Sequence, residues 1–304
     1  MAQVAMQTRL GPITMRSPLV AASGTVGSVW EWATVADVAP FGAAVAKSVS
    51  EVPWAGRPAP RIAPAGPGML NGIGIENPGI DHWVADMSGR IEDCRVPIWG
   101  SAVGETVAGF VKVAIGEESA GVEAIEVNLS CPNLEQGRIF ALDAGLSAGV
   151  VDEVVSAVNV PVGAKLSPAA PDIVDIAGAC IEAGAKFLTL TNTAPGFGVD
   201  LDLAAPKLSG GVGGYSGPGL KAISLRCVYE VARAYPGFPI VGCGGVTTGH
   251  DVVEYLMSGA SAVGLGTVLL AEPRAGTRIE KEMHRIMKKL GLVTVADAVG
   301  AAIR

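Results

Sequence analysis

Eight short apolar runs, rich in valine, isoleucine, leucine and alanine, recur along this chain and constrain its fold more than any other feature. Most of them precede a longer segment whose apolar residues have helical spacing, as in residues 150–158 and 172–181. Continuous apolar strands that alternate with amphipathic helices are typical of a parallel sheet covered by helices. The runs begin near Leu19, Ala43, Val96, Ala124, Val160, Phe187, Pro239 and Ala262.

Eight strand–helix units in 304 residues predict an α/β fold, a (β/α)8 or TIM barrel that forms a single domain over residues 1–304. A doubly wound sheet is the competing fold, but it usually needs fewer strands, and no G-x-G-x-x-G opens a first βα turn. Two intervals exceed an ordinary βα loop, from Ser50 to about Asp81 and from Pro195 to Gly219. Because both follow strands, we expect long βα loops over the C-terminal face, where barrel active sites lie.

Charge and cysteine content limit the cellular role. The net charge of −7 argues against nucleic acid or an anionic membrane as the main partner. The five cysteines form no C-x-x-C pair, which favours a reducing cytoplasm over a disulfide framework. Residues 1–10 lack the features of a signal peptide, and the charge-free stretch from Tyr255 to Ala271 is too short and glycine-rich for a membrane span. We therefore expect a soluble, cytoplasmic protein.

Polar residues interrupt the apolar runs at their C-terminal ends. Two lysines and two amides at one mouth of a barrel are poor core residues, because burial of an unpaired polar group costs free energy. Any one of them could be a satisfied structural residue, but together they predict a site. They occur in Lys47-Ser48, Asn128-Leu-Ser-Cys131, Lys165-Leu-Ser167 and Thr191-Asn-Thr193.

Glycine-rich turns follow the seventh and eighth runs, at Gly244-Gly245 and at Gly264-Leu-Gly266-Thr267. Backbone N–H groups in such turns can approach an anion closely, and the loops after strands 7 and 8 form the recurrent phosphate site of this fold. Either turn alone could merely allow a tight bend. Their pairing in these two places predicts a ligand that carries a phosphate.

A series of short motifs occurs in a fixed order along the chain: Ala21-Ala-Ser-Gly-Thr25, Lys47-Ser48, Asn71-Gly-Ile-Gly-Ile-Glu-Asn-Pro-Gly79, Asn128-Leu-Ser-Cys-Pro-Asn133, Lys165-Leu-Ser-Pro168, Thr191-Asn-Thr193, Tyr215-Ser-Gly-Pro218, Gly244-Gly245 and Gly266-Thr267. With these motifs the chain resembles the class 1 dihydroorotate dehydrogenases, most of all the class 1B catalytic subunit, from about Pro18 to Gly276. The set is specific because so many motifs keep the family order, although each alone is weak.

The resemblance implies FMN as cofactor, no metal, and the oxidation of (S)-dihydroorotate to orotate in pyrimidine (UMP) biosynthesis. Cys131 would be the base that removes a proton from the substrate while a hydride passes to flavin N5. A thiol needs nearby cations or donors to lower its pKa for this role. The implied FMN-binding residues are Ser23, Gly24, Lys47, Ser48, Ser101, Asn128, Lys165, Thr191, Gly217, Gly244, Gly245, Gly266 and Thr267. The implied substrate-binding residues are Lys47, Asn71, Gly72, Ile73, Gly74, Ile75, Asn128, Asn192 and Thr193.

The chain departs from the family pattern at several positions. Ser101 stands where an asparagine commonly contacts the flavin, and its reach is shorter. Ile75 and Glu76 replace the more usual leucine and glutamine, residues 203–206 lack an expected arginine, and Ala222 stands where a proline is common. These departures permit altered flavin affinity or a somewhat different substrate.

The resemblance also bears on the electron acceptor. The chain lacks the N-terminal membrane-associating extension and the serine base of class 2 enzymes, and residues 132–138 lack the Pro-Gly-Lys-Pro stretch of the fumarate-using class 1A homodimers. Class 1B implies transfer to NAD through a partner subunit with FAD and a [2Fe-2S] cluster, around a homodimeric core of a heterotetramer. The alternatives are a class 1A enzyme, a dihydropyrimidine dehydrogenase, or a flavin-binding barrel without activity.

Overall fold

The computed structural model describes residues 4–129 and 139–303 of the chain. The strands in these ranges are β1 (Thr8–Leu10), β2 (Ile13–Met15), β3 (Leu19–Ala21), β4 (Ala43–Val45), β5 (Ile62–Ala65), β6 (Gly68–Asn71), β7 (Ile98–Ala102), β8 (Ala124–Asn128), β9 (Val162–Leu166), β10 (Phe187–Leu190), β11 (Ala194–Gly196), β12 (Val199–Asp200), β13 (Ala205–Pro206), β14 (Gly213–Ser216), β15 (Ile240–Cys243) and β16 (Ala262–Leu265). The α-helices are α1 (Trp30–Val35), α2 (Ile80–Met87), α3 (Val107–Ser119), α4 (Ala144–Ala157), α5 (Ile173–Glu182), α6 (Lys221–Ala234), α7 (Gly249–Met257), α8 (Val268–Ala271), α9 (Ala275–Lys289) and α10 (Val295–Ala298), and 3-10 turns cover Phe140–Leu142 and Pro218–Leu220.

Eight parallel strands close a barrel in the order β3, β4, β7, β8, β9, β10, β15 and β16. The ring closes where Val263 of β16 pairs with Leu19 of β3. Strands such as β7, β8 and β9 are buried along their whole length, which explains why they appear in the sequence as continuous apolar runs. The predicted (β/α)8 barrel is confirmed. Five of its strands begin where predicted, and β7, β9 and β15 begin one or two residues later.

The helices that return the chain between barrel strands begin at polar caps. Thr106, Asp143, Asp172 and Thr248 each accept a hydrogen bond from a backbone N–H in the first turn of the helix that follows, which satisfies a donor that has no partner within the helix. These caps fix where each βα loop ends. Among the helices of the described residues, none is long and apolar enough to cross a membrane.

Apolar side chains fill the end of the barrel where its strands begin. The β1–β2 hairpin contributes Leu10, Ile13 and Met15 to a buried cluster that also contains Trp99 and Phe187. The two aromatic rings lie 5.1 Å apart between centroids. Because this end is closed by packed side chains, polar chemistry is confined to the opposite end, where the strands finish.

The two long intervals contain strands, so their interpretation as loops was incomplete. The strands β5 and β6 of the first interval and β11 and β14 of the second form one antiparallel sheet in the order β11-β14-β6-β5. The central pairing joins Asn71 to Gly214 and Leu70 to Tyr215. Proline and glycine are untypical of strands, so the sequence pattern did not predict this sheet. Pro64 and Pro195 lie on its two edge strands, where a missing N–H is tolerated.

Candidate active site

Three serine hydroxyls meet at the C-terminal end of the barrel. Ser48 follows β4, Ser101 lies in β7, and their Oγ atoms are 2.8 Å apart. Ser23, which follows β3, lies 3.4 Å from both. Ser48 and Ser101 are buried and Ser23 is partly exposed, so this cluster forms a polar wall at the edge of the mouth. Ser101 therefore lies beside two other residues of the predicted flavin site, and its role there stays a prediction.

An amide chain extends from this wall across the mouth. Asn128, the last residue of β8, donates through Nδ2 to Ser48 Oγ at 3.3 Å. Asn192 donates through Nδ2 to Asn128 Oδ1 at 3.2 Å, and its own Oδ1 accepts from the backbone N–H of Thr193 at 2.7 Å. Because each amide offers both a donor and an acceptor, neighbouring amides suit a planar ring that carries carbonyl and N–H groups.

The buried ammonium group of Lys165 lies on the strand next to Asn128. Lys165 of β9 donates through Nζ to Glu126 Oε1 at 3.0 Å, and Thr189 of β10 donates to Glu126 Oε2 at 2.7 Å. Burial lowers the pKa of Lys165, but the charge and hydrogen bond of Glu126 raise it above its ordinary value overall. Lys165 is thus held as a fixed positive charge. Our sequence prediction missed Glu126, although an acid within the apolar run 124–128 was a usable signal.

A second buried acid, also missed, lies behind the serine wall. Glu117 of α3 is fully buried, and its Oε1 accepts from the backbone N–H of Ser101 at 2.6 Å. Among the described residues its Oε2 has no hydrogen-bond partner. Burial raises the pKa of Glu117 well above its usual value, the bond from Ser101 opposes this rise, and the charge of Glu126 adds to it. A Cβ at Gly100 would lie 2.5 Å from the Glu117 carboxyl carbon, so only glycine leaves room for this acid.

The glycine turns converge on one region. Gly244 and Gly245 have φ angles of 137° and 70°, in the region that favours glycine, and a Cβ at Gly245 would lie 2.9 Å from the carbonyl oxygen of Gly217. Thr267 donates through Oγ1 to Ser216 Oγ at 2.8 Å, which joins the turn after β16 to the end of β14. The turns predicted to bind phosphate therefore lie together.

Open space remains beside two further glycines. A Cβ at Gly24 would meet no heavy atom within 4 Å, and one at Gly266 would meet only Ala22 Cβ at 3.9 Å. Gly24 has a φ of 83°, which by itself favours glycine, whereas Gly266 has no such backbone requirement. A glycine that neither its neighbours nor its backbone requires, next to donors from adjacent turns, fits a bound group that approaches the backbone closely. Together with the fixed charge of Lys165, these residues fit FMN.

A cavity of about 730 Å³ lies against the antiparallel sheet, and Lys47, Asn128 and Asn192 are not among its lining residues. It is lined by residues 53–57, 71–75, 210 and 212–214, together with Glu105, Ile139, Thr193 and Pro195. Asn71 donates through Nδ2 to the Gly214 carbonyl at 3.1 Å, which fixes one wall of this cavity. Lys47 follows β4, is half-buried, and donates its backbone N–H to the Gly27 carbonyl at 2.9 Å. The residues of the predicted substrate site that line the cavity are Asn71, Gly72, Ile73, Gly74, Ile75 and Thr193.

Thr191 and the cysteines complete the predicted set. Thr191, after β10, lies with its Oγ1 2.8 Å from Ser224 Oγ.

Cys131 lies in residues 130–138, outside the described part of the chain. Cys94, Cys180, Cys227 and Cys243 are buried and unpaired, and burial raises the pKa of each, for Cys180 to about 12. Raised pKa values make these four poor nucleophiles or bases.

One group in the described residues has the spacing of metal ligands: His250, Asp251 and Glu254 of α7. The ammonium of Lys221 lies 2.6 Å from Asp251 Oδ1 and 2.7 Å from Glu254 Oε2. A side-chain cation therefore already neutralises these carboxylates, and the cluster stabilises the junction of α6 and α7.

Known proteins match this chain along nearly its whole length. A family model described as dihydroorotate dehydrogenase matches residues 5–287. Relatives named dihydroorotate dehydrogenase B (NAD(+)), catalytic subunit, occur in Geobacter sulfurreducens, with 39% identity over 298 residues and 97% of each chain covered, and in Listeria monocytogenes, with 39% identity over 288 residues and 94% of each chain covered. A crystal structure of DHODH from Eimeria tenella in complex with ferulenol has the same fold, with a TM-score of 0.85 at 21% identity, over 99% of this chain and 89% of that one. The resemblance found in the motifs is confirmed, and the chain belongs to the dihydroorotate dehydrogenase family.

Proposed function

We propose that this protein oxidises (S)-dihydroorotate to orotate with FMN as its bound cofactor. One observation carries the proposal: the C-terminal end of the barrel contains the amides of Asn128 and Asn192, the buried cation of Lys165, and the glycine turns. The names of the relatives support the same reaction. Amides suit the pyrimidine-dione ring, a fixed cation suits developing negative charge, and glycine turns suit a phosphate.

Each part of the site has a defined task in this proposal. The turns at Gly244-Gly245 and Gly266-Thr267 would hold the FMN phosphate, and FMN would supply a hydride acceptor. Lys165, kept protonated by Glu126, would place a fixed positive charge beside the flavin, where it would favour negative charge on the ring. Asn128 and Asn192 orient the substrate ring, and Lys47 with residues 71–75 holds its carboxylate end.

The proton leaves the substrate to Cys131. A thiolate is the competent form, so the proposal requires that neighbouring cations or donors lower the pKa of this thiol. The buried cysteines of the barrel lie in environments that raise the pKa, and this makes them unsuitable for the task.

The electrons then leave through a second protein. Relatives that carry the name "catalytic subunit" and NAD(+) favour NAD over fumarate as the final acceptor. We propose a partner subunit with FAD and a [2Fe-2S] cluster, bound to a homodimer of this chain.

The test is reduction of the FMN-loaded protein without oxygen. Dihydroorotate should bleach the flavin absorbance, and dihydrouracil should not.

Cys131→Ala should slow bleaching by about 100- to 10,000-fold and leave FMN content unchanged. Cys131→Ser should recover part of the rate only at higher pH. A protein bleached by dihydrouracil alone would be a dihydropyrimidine dehydrogenase, and a colourless protein that binds no FMN would contradict any flavin enzyme.

A further inference from the structure

Arg57 brings a positive charge into the substrate cavity that the family motifs do not contain. Arg57 lines the cavity together with Asn71, Ile73 and Thr193, and Glu105 is the one acidic residue among the lining residues that the structure describes. A Cβ at Gly210 would lie 2.5 Å from Arg57 Nη1, and one at Gly74 would lie 2.8 Å from Arg57 Cγ. The arginine therefore lies in a space that glycines on both long segments leave open.

The backbone of Arg57 is firmly anchored. Its N–H donates to the Ile73 carbonyl at 3.0 Å, and its own carbonyl accepts a hydrogen bond from the guanidinium of Arg61. Arg61 is in turn paired with Glu76. Arg57 is thus attached to the stretch 72–75, which carries the backbone groups predicted to hold the substrate.

The guanidinium keeps most of its donors available. Nη1 donates to the Val212 carbonyl at 2.8 Å, and this is the one hydrogen bond that the Arg57 side chain makes within the described residues. No carboxylate in that part of the chain lies within ion-pair distance of it, whereas neighbouring Arg61 is paired with Glu76. Since a guanidinium has five N–H donors in a planar fork, four remain for a ligand.

We propose that Arg57 binds the carboxylate of the substrate and makes the cavity selective for pyrimidines that carry one. This inference rests on the proposed function and adds a second cation to Lys47. Arginine binds a carboxylate through two parallel hydrogen bonds, a geometry that lysine does not provide. Selectivity follows because a neutral pyrimidine leaves the guanidinium without its counter-charge.

The test compares orotate with its methyl ester, which has the same ring and no charge. Binding of both to the FMN-loaded protein is measured by calorimetry and by the change in flavin absorbance. Arg57→Gln should weaken orotate binding about tenfold or more and alter ester binding less than twofold. Arg57→Lys should give an intermediate orotate affinity. Lys207→Gln, which removes one positive charge from the same antiparallel-sheet region outside the cavity lining, should change neither.

Two results would overturn the inference. Equal weakening of orotate and ester by Arg57→Gln would mean that the arginine only ties the long segments together, and unchanged orotate binding would mean that it does not touch the ligand. Wild-type protein that binds FMN but not orotate would instead contradict the proposed function itself.

Discussion

Lys165 Nζ lies 3.0 Å from Glu126 Oε1, and both side chains are almost fully buried between β8 and β9. A buried ion pair contributes little net stability, but removal of one partner leaves a charge without compensation. The pair therefore keeps a protonated lysine at the barrel mouth, which a lysine alone could not sustain there.

Glu126→Gln should lower the free energy of unfolding by about 3–5 kcal/mol, because Lys165 would stay buried without its counter-charge. Urea unfolding of the protein measures this directly. The same chemical change at exposed Glu153 on α4 is the matched control and should cost little. Addition of Lys165→Met to Glu126→Gln should restore part of the loss. A Glu126→Gln variant as stable as wild type would show that the pair does not act as described.

Gly266→Ala should abolish or strongly weaken FMN binding without a large cost in stability. An added Cβ would touch only Ala22 at 3.9 Å, so the protein tolerates it, whereas a closely bound phosphate would not. FMN content after purification and the FMN dissociation constant measure the effect. Gly244→Ala is the contrasting variant: its Cβ would lie 2.2 Å from Ser224 Oγ at a φ of 137°, and it should destabilise the fold by about 1–3 kcal/mol. Normal FMN affinity in Gly266→Ala would remove this glycine from the proposed site.

Glu117 should make stability depend on pH. Its pKa is raised in the folded protein above the ordinary 4.5, so its contribution is fully present below pH 4.5 and is lost as pH rises towards the folded pKa. Glu117→Gln does not titrate, and its stability relative to wild type should increase by about 1.4 kcal/mol per pH unit in that window. Urea unfolding between pH 5 and 8 measures the difference, with Glu153→Gln as control. A constant difference over this range would refute the prediction.

Asp251 should show the opposite dependence. Burial raises its pKa, but hydrogen bonds from Lys221, Thr247 and Thr248 outweigh burial and lower the pKa from 3.8 to about 2. Its contribution is present above pH 3.8 and is lost as pH falls towards 2. Asp251→Asn should therefore cost about 2 kcal/mol at pH 7 and less at pH 3. Exposed Asp152→Asn on α4 is the control, and an equal loss at both pH values would contradict this account.

The barrel was readable from the sequence because its strands are buried on both faces and so appear as uninterrupted apolar runs. The antiparallel sheet was not readable, since β14 contains Gly213 and Gly214 and β5 contains Pro64. Such residues disfavour strands locally, and only the pairing of two segments more than 100 residues apart makes them extended.

Some polar residues of the site were likewise predicted from the sequence, and others were found only in the structure. Lys165, Asn128 and the glycine turns were predicted from their places at strand ends, where the fold dictates that chemistry lies. Glu126, Glu117 and Arg57 were not predicted, because an isolated charge in a sequence does not reveal its partner. The burial of Glu117 depends on the packing of α3 against Gly100. The position of Arg57 depends on the contact between the two long segments, at Gly74 and Gly210.

The sequence by itself thus determined the strand order, the end of the barrel that carries polar groups, and the family. Tertiary structure decided which of those groups touch, which acid neutralises Lys165, and which arginine faces the cavity. The physical reason is that hydrophobic periodicity is a local property of the chain, whereas the pairing of charges and the room left by a glycine depend on residues brought together by folding.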